Sequence, residues 1–344
     1  MHHIKESRLA VLASFSLGLG ALINAAPVAA SNLEISATFN SSITRLSNAA
    51  AIEAGINAAI ANITNDVTTN TPVKVSIDFK NMTTGLGQSV SPQSDIDYST
   101  YLADLQAVSN KTANQITAFA TLPKGPYTGI SNTTLVALTA ANLATLGDTT
   151  DAQNLVSGNG GFNSVISLNT SIMNVSSTNT NPDNYALQSV TAHEIDEVLG
   201  IGGSGSELYQ PGQIPTDISG LDLFRYSATG VRSFTTKSTA TAYFSIDSGK
   251  TNLVNFNQDS SGDFGDWGNH AGKPQVQDAF GTPGVAPLTL GSNELTALSV
   301  VGYSLTPAGL IADGLTAVPL PAAIWFMLSG LLGILGLNRR KAAL

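Results

Sequence analysis

The chain of 344 residues contains no cysteine. This absence excludes disulfide bonds, thiolate nucleophiles and cysteine-based zinc sites, so any metal ion would be held by histidine and carboxylate side chains. Charged residues are also scarce, at 11% of the chain, and the formal net charge is −9. Because acidic residues are in excess, no extended basic surface is available, and we expect no nucleic-acid partner.

Residues 1–30 have the organisation of a secretory signal peptide. Lys5 and Arg8 precede an apolar run over residues 9–23, and the small residues VAA stand just before Ser31. We predict cleavage after Ala30, with Ala26 as the second choice. The apolar run is short for a membrane span, which argues against an uncleaved anchor.

Residues 313–344 contain a second hydrophobic segment, which is long enough to cross a bilayer and is followed at once by Arg339, Arg340 and Lys341. Together with the preceding VPLPAA, this order resembles the PEP-CTERM sorting signal of Gram-negative bacteria, although Leu320 stands where that signal usually has glutamate. The resemblance implies export, transient anchoring in the inner membrane and processing by an exosortase. The protein would then reside on the cell surface or in the extracellular matrix. A plain single-span anchor is the alternative.

Residues 31–312 contain neither a linker run nor an internal repeat, so we predict one domain. Apolar spacing predicts an amphipathic helix over residues 43–64 and a half-buried strand over 73–79. A second helix near 98–108 and a strand over 163–172 follow. This α+β order is similar to the N-terminal half of zincin metalloproteases, in which a mixed sheet with backing helices supports an active-site helix.

The stretch TAHEIDEVLGIGG, residues 191–203, resembles the metal-binding helix of zinc hydrolases but lacks the second histidine of HExxH. We predict a helix of about four turns over residues 182–200. His193 and Glu197 would lie on one face within reach of a single ion, and zinc accepts carboxylate oxygen as well as imidazole nitrogen. Glu194 would lie beside the ion, where a general base can take a proton from water.

Two alternatives accompany this prediction. Asp196 is a second choice of ligand, with a shorter side chain at a poorer angle, and the helix could also be an ordinary solvated surface helix. The acids and glycines of residues 259–266 (DSSGDFGD) suggest a calcium loop, but their spacing does not match the EF-hand pattern. We therefore predict a turn-rich surface segment there.

The sequence around the helix carries a further resemblance over residues 185–305. The matching segments are HEIDEVLG, LDLFRYSATGVRSF, YFSID, GDFGDWG, VQDAFGTPG and LTALSVVGY. In this order they resemble a family of exported bacterial zinc-dependent metalloproteases, some of which have HExxH at the helix and others HExxE. The resemblance implies a zincin-like protease with His193 and Glu197 as metal ligands and Glu194 as the catalytic base.

The third ligand is harder to assign. Metzincins place it ten residues after the first histidine, where this chain has Gly203, which offers no side chain. We expect Asp222, an acid inside a matching segment, although it could instead cap a turn or pair with Arg225. The rival candidates are Asp217, Glu207 and His270. Because two carboxylates and one imidazole form a harder site than three histidines, zinc is expected while manganese and iron remain open.

Two classes of function follow from these residues. The first is an exported zinc-dependent endopeptidase that hydrolyses a polypeptide substrate, with Glu194 as the base. The second is a non-catalytic cell-surface or extracellular-matrix protein on a degenerate protease fold. The two classes differ in whether the folded protein retains metal.

If both terminal signals operate, protein collected from the surface of a host that has an exosortase should begin near Ser31 and lack Lys341. N-terminal sequencing and mass spectrometry of the C-terminal peptide measure the two ends. Surface protein that still begins at Met1 would contradict the signal peptide, and retention of Lys341 would contradict the sorting signal.

Overall fold

The structure is a computed structural model that describes residues 32–129, 133–176, 181–203, 208, 217–268 and 273–315. The predicted signal peptide and the predicted sorting helix lie outside these described residues. Within the described part of the chain, no helix is both long enough and apolar enough to span a membrane.

The described residues form a mixed α+β fold with several sheets, which confirms the α+β part of the predicted fold class. The helices are α1 (Ser41–Thr44), α2 (Ala49–Asp66), α3 (Tyr98–Ala107), α4 (Ala113–Thr121), α5 (Ala140–Leu146), α6 (Thr149–Gly158), α7 (Leu187–Val198), α8 (Ser292–Val300) and α9 (Pro307–Ala312). The strands are β1 (Leu33–Phe39), β2 (Val67–Thr68), β3 (Val73–Asn81), β4 (Gly87–Val90), β5 (Gln93–Asp97), β6 (Leu135–Thr139), β7 (Ser164–Leu168), β8 (Met173–Asn174), β9 (Tyr185–Ala186), β10 (Asp217–Ser219), β11 (Arg225–Ala228), β12 (Val231–Arg232), β13 (Tyr243–Phe244), β14 (Val254–Asn255) and β15 (Ser304–Leu305).

A four-stranded sheet in the order β1-β3-β7-β4 supports the candidate site. The first three strands are parallel, and β4 runs antiparallel to β7 at the sheet edge, where Ser89 pairs with Ile166. The predicted strand over 73–79 is confirmed by β3. The strand predicted over 163–172 is shorter, because β7 ends at Leu168. Strand β7 is an inner strand of the sheet, and β4 forms the edge.

Helix α2 packs against α7, and its apolar stripe explains why. Ile52, Ile56 and Ile63 recur at helical spacing and are fully buried. The two helices approach closely at Gly55, where a Cβ atom would lie 2.8 Å from Cδ2 of Leu187. The predicted helix over 43–64 is therefore present as α2, preceded by the separate turn α1.

Helix α7 begins later than predicted and is shorter. Residues 185 and 186 belong to β9, which pairs in parallel with β8, so the helix begins at Leu187 rather than near residue 182. Its predicted end is confirmed: Gly200 has a φ of 101°, a left-handed conformation that glycine adopts without strain. The amide of Ile201 then closes the turn on the carbonyl of Asp196.

The other strands of the described residues form four further sheets. Their orders are β10-β6-β5, β12-β11-β13-β14, β15-β2 and β8-β9. One hydrophobic cluster extends from Leu33 to Leu305 and joins these parts. Within it, the fully buried ring of Trp267 packs between Phe244 and Phe256, with ring centroids 5.7 and 5.2 Å away.

Replacing Ile56 by alanine should lower the free energy of unfolding by about 2–5 kcal/mol, because it opens a cavity between α2 and the core. Urea unfolding of the purified protein measures this change. Asn57→Ala, at the exposed neighbouring position, is the matched control and should change stability by less than about 0.5 kcal/mol. Equal losses in both variants would contradict the packing described for α2.

Candidate metal centre

Three side chains converge beside α7. His193, Glu197 and Asp266 each offer one ligand atom, and these atoms all lie within 4.8 Å of one another. Nε2 of His193 is 3.5 Å from Oε1 of Glu197 and 3.6 Å from Oδ2 of Asp266. In a tetrahedral zinc site, bonds of about 2.1 Å place the ligand atoms about 3.4 Å apart. The group could therefore hold a metal ion, whose identity the geometry does not define.

The two helix residues of this group are oriented by contacts from other elements. Ser89, on the edge strand β4, donates its hydroxyl to Oε2 of Glu197 at 2.6 Å, so that Oε1 faces the common point. Nδ1 of His193 lies 2.9 Å from the carbonyl oxygen of Val276. Because a carbonyl only accepts, Nδ1 carries the proton and Nε2 is left to bind an ion. The predicted sharing of one face by His193 and Glu197 is confirmed.

Asp266 is held in the same manner. Its Oδ1 accepts hydrogen bonds from the backbone amide of Gly203 at 2.9 Å and from Nε2 of Gln277 at 2.8 Å. Its Oδ2 faces His193. In all three side chains, the outer polar atom is therefore hydrogen-bonded and the inner atom points to the common point, as in metal sites whose ligands are oriented by a surrounding shell.

Gly203 brings the chain close to two carboxylates at once. A Cβ atom at this position would overlap Oε1 of Glu197, so the close approach requires glycine. Its backbone amide donates to Asp266. Gly203 stands at the position where a metzincin has its third ligand. In this chain, its backbone amide instead orients the carboxylate of Asp266.

Asp222, the expected third ligand, lies outside the group. Its Oδ2 accepts hydrogen bonds from the backbone amide and the hydroxyl of Ser219, at 3.1 and 2.9 Å. Asp222 thus caps the turn that leads into the short 3-10 helix Leu221–Phe224, which was the alternative considered for it. The structure brings Asp266, and not Asp222, to His193 and Glu197.

The side chains of the three rival candidates for the third ligand fall in parts of the chain that the structure does not describe. Glu207 and His270 lie outside the described residues, as does the side chain of Asp217. Asp196 is fully buried and is not one of the three grouped side chains.

Asp266 was missed because its segment was predicted to be turn-rich surface. The signal that could have found it is Trp267, since a tryptophan beside an acid draws the acid's backbone toward the core. Trp267 pairs by isolated bridges with Phe256 and Asp278, and these pairings place Asp266 next to Gln277.

Glu194 is a buried carboxylate of the cleft that takes no part in these contacts. It is only 4% exposed, and its Oε2 has no hydrogen-bond partner among the described residues. The backbone of Gly87 on β4 lies directly against it, because a Cβ atom there would overlap Oε1 of Glu194. Burial and the neighbouring Glu197 raise the pKa of Glu194 well above its usual value, which favours a group that accepts a proton near neutral pH.

Both Glu194 and the three grouped side chains line an open cleft of about 940 Å³. Strand β4 lines one side of it, α7 lies at the base, and residues 274–288 contribute the opposite side. A cavity of this size, with a few convergent polar groups, is typical of a ligand or substrate site.

The charges at this site shift one another's proton affinities. Burial disfavours protonation of His193, but the carboxylates of Asp266, Glu197 and Glu194 outweigh it and raise the pKa of His193 well above 6.5. Burial, as the largest cause, raises the pKa of Asp266 to about 7. Without a metal ion, His193 and Asp266 would therefore bind protons, which reduce the net negative charge of the site.

No protein-family model, curated protein or solved structure matches the chain. The resemblances to zincin metalloproteases and to the PEP-CTERM signal therefore stay predictions. A proposal for the function therefore rests on the contacts within the chain itself.

Metal-free protein should lose stability as the pH rises from about 5 to about 8. The raised pKa values of Asp266 and His193 mean that the folded state holds protons that the unfolded state has released, so a rise in pH favours unfolding. Thermal unfolding after treatment with a chelator measures this slope. Added zinc should raise the melting temperature more at the higher pH, because protons and the ion compete for the same atoms. A melting temperature of the metal-free protein that rises across this range would contradict the arrangement.

Proposed function

We propose that this protein is a zinc-dependent endopeptidase in which His193, Glu197 and Asp266 hold the ion and Glu194 is the general base. One observation carries the proposal: a buried carboxylate oxygen without a partner lies beside three ligand atoms spaced as around a single ion. A site built only for stability would pair such a carboxylate, because burying an unpaired polar group costs free energy.

The donor set fits a divalent cation. One imidazole nitrogen and two carboxylate oxygens suit zinc, and they also suit manganese or iron. A divalent ion balances the two ligand carboxylates, which are both nearly fully buried. When bound, it would polarise the scissile carbonyl and lower the pKa of a water molecule.

The remaining chemistry belongs to Glu194. Its free Oε2 would take the proton from the attacking water, and its raised pKa lets it retain that proton near neutral pH. The same oxygen would then hand the proton to the leaving amine. A hydrogen bond from Ser89 holds Glu197, and the hydrogen bond that His193 donates to the carbonyl of Val276 holds His193, so the base need not also hold the ion.

The cleft supports a polypeptide as the substrate. Strand β4 forms the edge of its sheet and lines the cleft beside Glu194, so an extended peptide could pair with it along the open edge. Parallel strands with one antiparallel edge strand, above a helix that carries His193 and Glu197, also support the zincin-like assignment. This remains an analogy of architecture.

Export is the part of the proposal that rests on the terminal segments alone. The predicted signal peptide and the resemblance of residues 313–344 to a PEP-CTERM signal support a Gram-negative exported protein that is processed by an exosortase. A degraded, non-catalytic matrix protein would share that route, so localisation does not separate the two functions. Measurements of bound metal and of catalysis separate the two functions.

Glu194→Gln should lower the cleavage rate of an unstructured protein such as casein by about two or more orders of magnitude while bound zinc stays at one ion per chain. Asp266→Asn should lower both activity and bound zinc, because the third ligand is weakened. Elemental analysis of the dialysed protein, together with a casein-cleavage assay, measures both effects.

Asp222→Asn is the matched control, since it makes the same chemical change at another buried aspartate. It should retain zinc and activity. Zinc loss in Asp222→Asn but not in Asp266→Asn would restore the ligand set expected from the sequence. Absence of zinc from the unsubstituted protein after exposure to excess metal would favour the non-catalytic function.

A further inference from the structure

The cleft is strongly acidic. Among its described lining residues there are five carboxylates and neither lysine nor arginine; the carboxylates belong to Glu194, Glu197, Asp263, Asp266 and Asp278. Lys273 precedes the lining residue Pro274 but does not itself line the cleft. A divalent ion balances two of these charges, so an excess of negative charge faces whatever occupies the cleft.

Three of the five carboxylates already have a role in the proposed reaction, and a fourth is committed to the fold. Asp278 is 5% exposed, and its Oδ2 accepts the backbone amide of Gln275 at 2.9 Å. It therefore shapes the segment that carries Val276. Asp263 is the fifth carboxylate. Neither the proposed reaction nor the fold explains its position in the cleft.

The chain holds the backbone of Asp263 firmly but leaves its carboxylate open. Nδ2 of Asn257 donates to the backbone carbonyls of Asp259 and Asp263, at 2.9 and 3.1 Å. The Asp263 side chain is exposed, and its carboxylate has no hydrogen-bond partner among the described residues. A fixed backbone with a free charged end is the arrangement expected of a side chain that contacts a ligand.

Asp263 also lies near the reacting end of the cleft. It precedes Asp266 by three residues, and it lines the same cleft as Glu197 and His193. A group that contacts Asp263 would therefore belong to a residue close to the scissile bond. An anionic side chain placed there would be repelled by the same charges.

We infer that the cleft selects polypeptide segments with a lysine or arginine side chain beside the scissile bond, and that Asp263 recognises this cationic group. The inference rests on the proposed function for the position of the scissile bond. A free N-terminal ammonium has the same charge chemistry, so the test must distinguish it from a side chain.

The test measures binding rather than turnover. The full chain carrying Glu194→Gln, loaded with zinc, is titrated against three extended peptides of equal length that carry a neutral fluorophore. Two have blocked ends and differ only in a central lysine or glutamate, and the third has no charged side chain but a free N-terminus. Fluorescence anisotropy gives the Kd of each peptide.

The lysine peptide should bind about tenfold more tightly than the glutamate peptide at low salt, and the difference should shrink as ionic strength rises. Adding Asp263→Asn should reduce the preference to about twofold or less, and Asp263→Lys should reverse it. Asp151→Asn, at an exposed acid on α6 away from the cleft, is the matched control and should leave the preference unchanged.

Equal binding of the lysine and glutamate peptides, a preference that survives Asp263→Asn, or the absence of peptide binding would overturn the inference. Tightest binding of the peptide with the free N-terminus would overturn recognition of a side chain in favour of a terminal amine. Casein cleavage by the unsubstituted chain is measured separately. A lysine preference without cleavage would remove the proposed function alone, and cleavage without a charge preference would remove this inference alone.

Discussion

Repulsion among buried carboxylates around one histidine is the constraint on which the rest of the site depends. Glu194, Glu197 and Asp266 are each less than one-tenth exposed, and they all act on His193. Such a group is unfavourable unless positive charge and hydrogen bonds compensate it. Ser89, Gly203 and Gln277 supply the hydrogen bonds. The ligand atoms that face one another can then bind a cation or, in its absence, protons.

Distant parts of the chain meet to satisfy this constraint. Oε1 of Glu294, on α8, accepts hydrogen bonds from the indole of Trp267 and from the backbone amide of Gln277, at 3.1 and 3.2 Å. Trp267 positions Asp266 as its neighbour in the chain. Gln277 positions it by a hydrogen bond from its side chain. The hydrophobic burial of Trp267 therefore stabilises the loop that carries Asp266, a candidate metal ligand. Stability of the core and geometry of the site are coupled there.

The sequence was informative where the chemistry is local. Helical spacing places His193 and Glu197 on one face, and the glycine at position 200 marks the end of the helix. It was misleading at the start of α7, because the pairing of β9 with β8 overrides the helical pattern there. A short two-residue strand leaves no periodic signal to detect.

Long-range contacts explain the other errors. Asp266 follows His193 by 73 residues, and its place depends on how Trp267 pairs with Phe256 and Asp278. Asp222 was expected as the third ligand, but an acid near a glycine-rich loop can also cap a turn. Here the hydroxyl of Ser219 donates a hydrogen bond to its carboxylate. The edge position of β4 likewise depends on which strands pair, and the alternation of residues within one strand does not contain that information.

In the proposed site, Glu197 stands where an HExxH helix has its second histidine, and this difference has a consequence for the base. With two carboxylate ligands, a divalent ion would have its charge fully balanced, so it would acidify water less than in a site with neutral imidazoles. Proton removal then demands a stronger base. Burial, the largest cause, raises the pKa of Glu194, and it acts whether or not an ion is bound. The acidity that the water would lose through Glu197 would therefore be offset by the burial of Glu194.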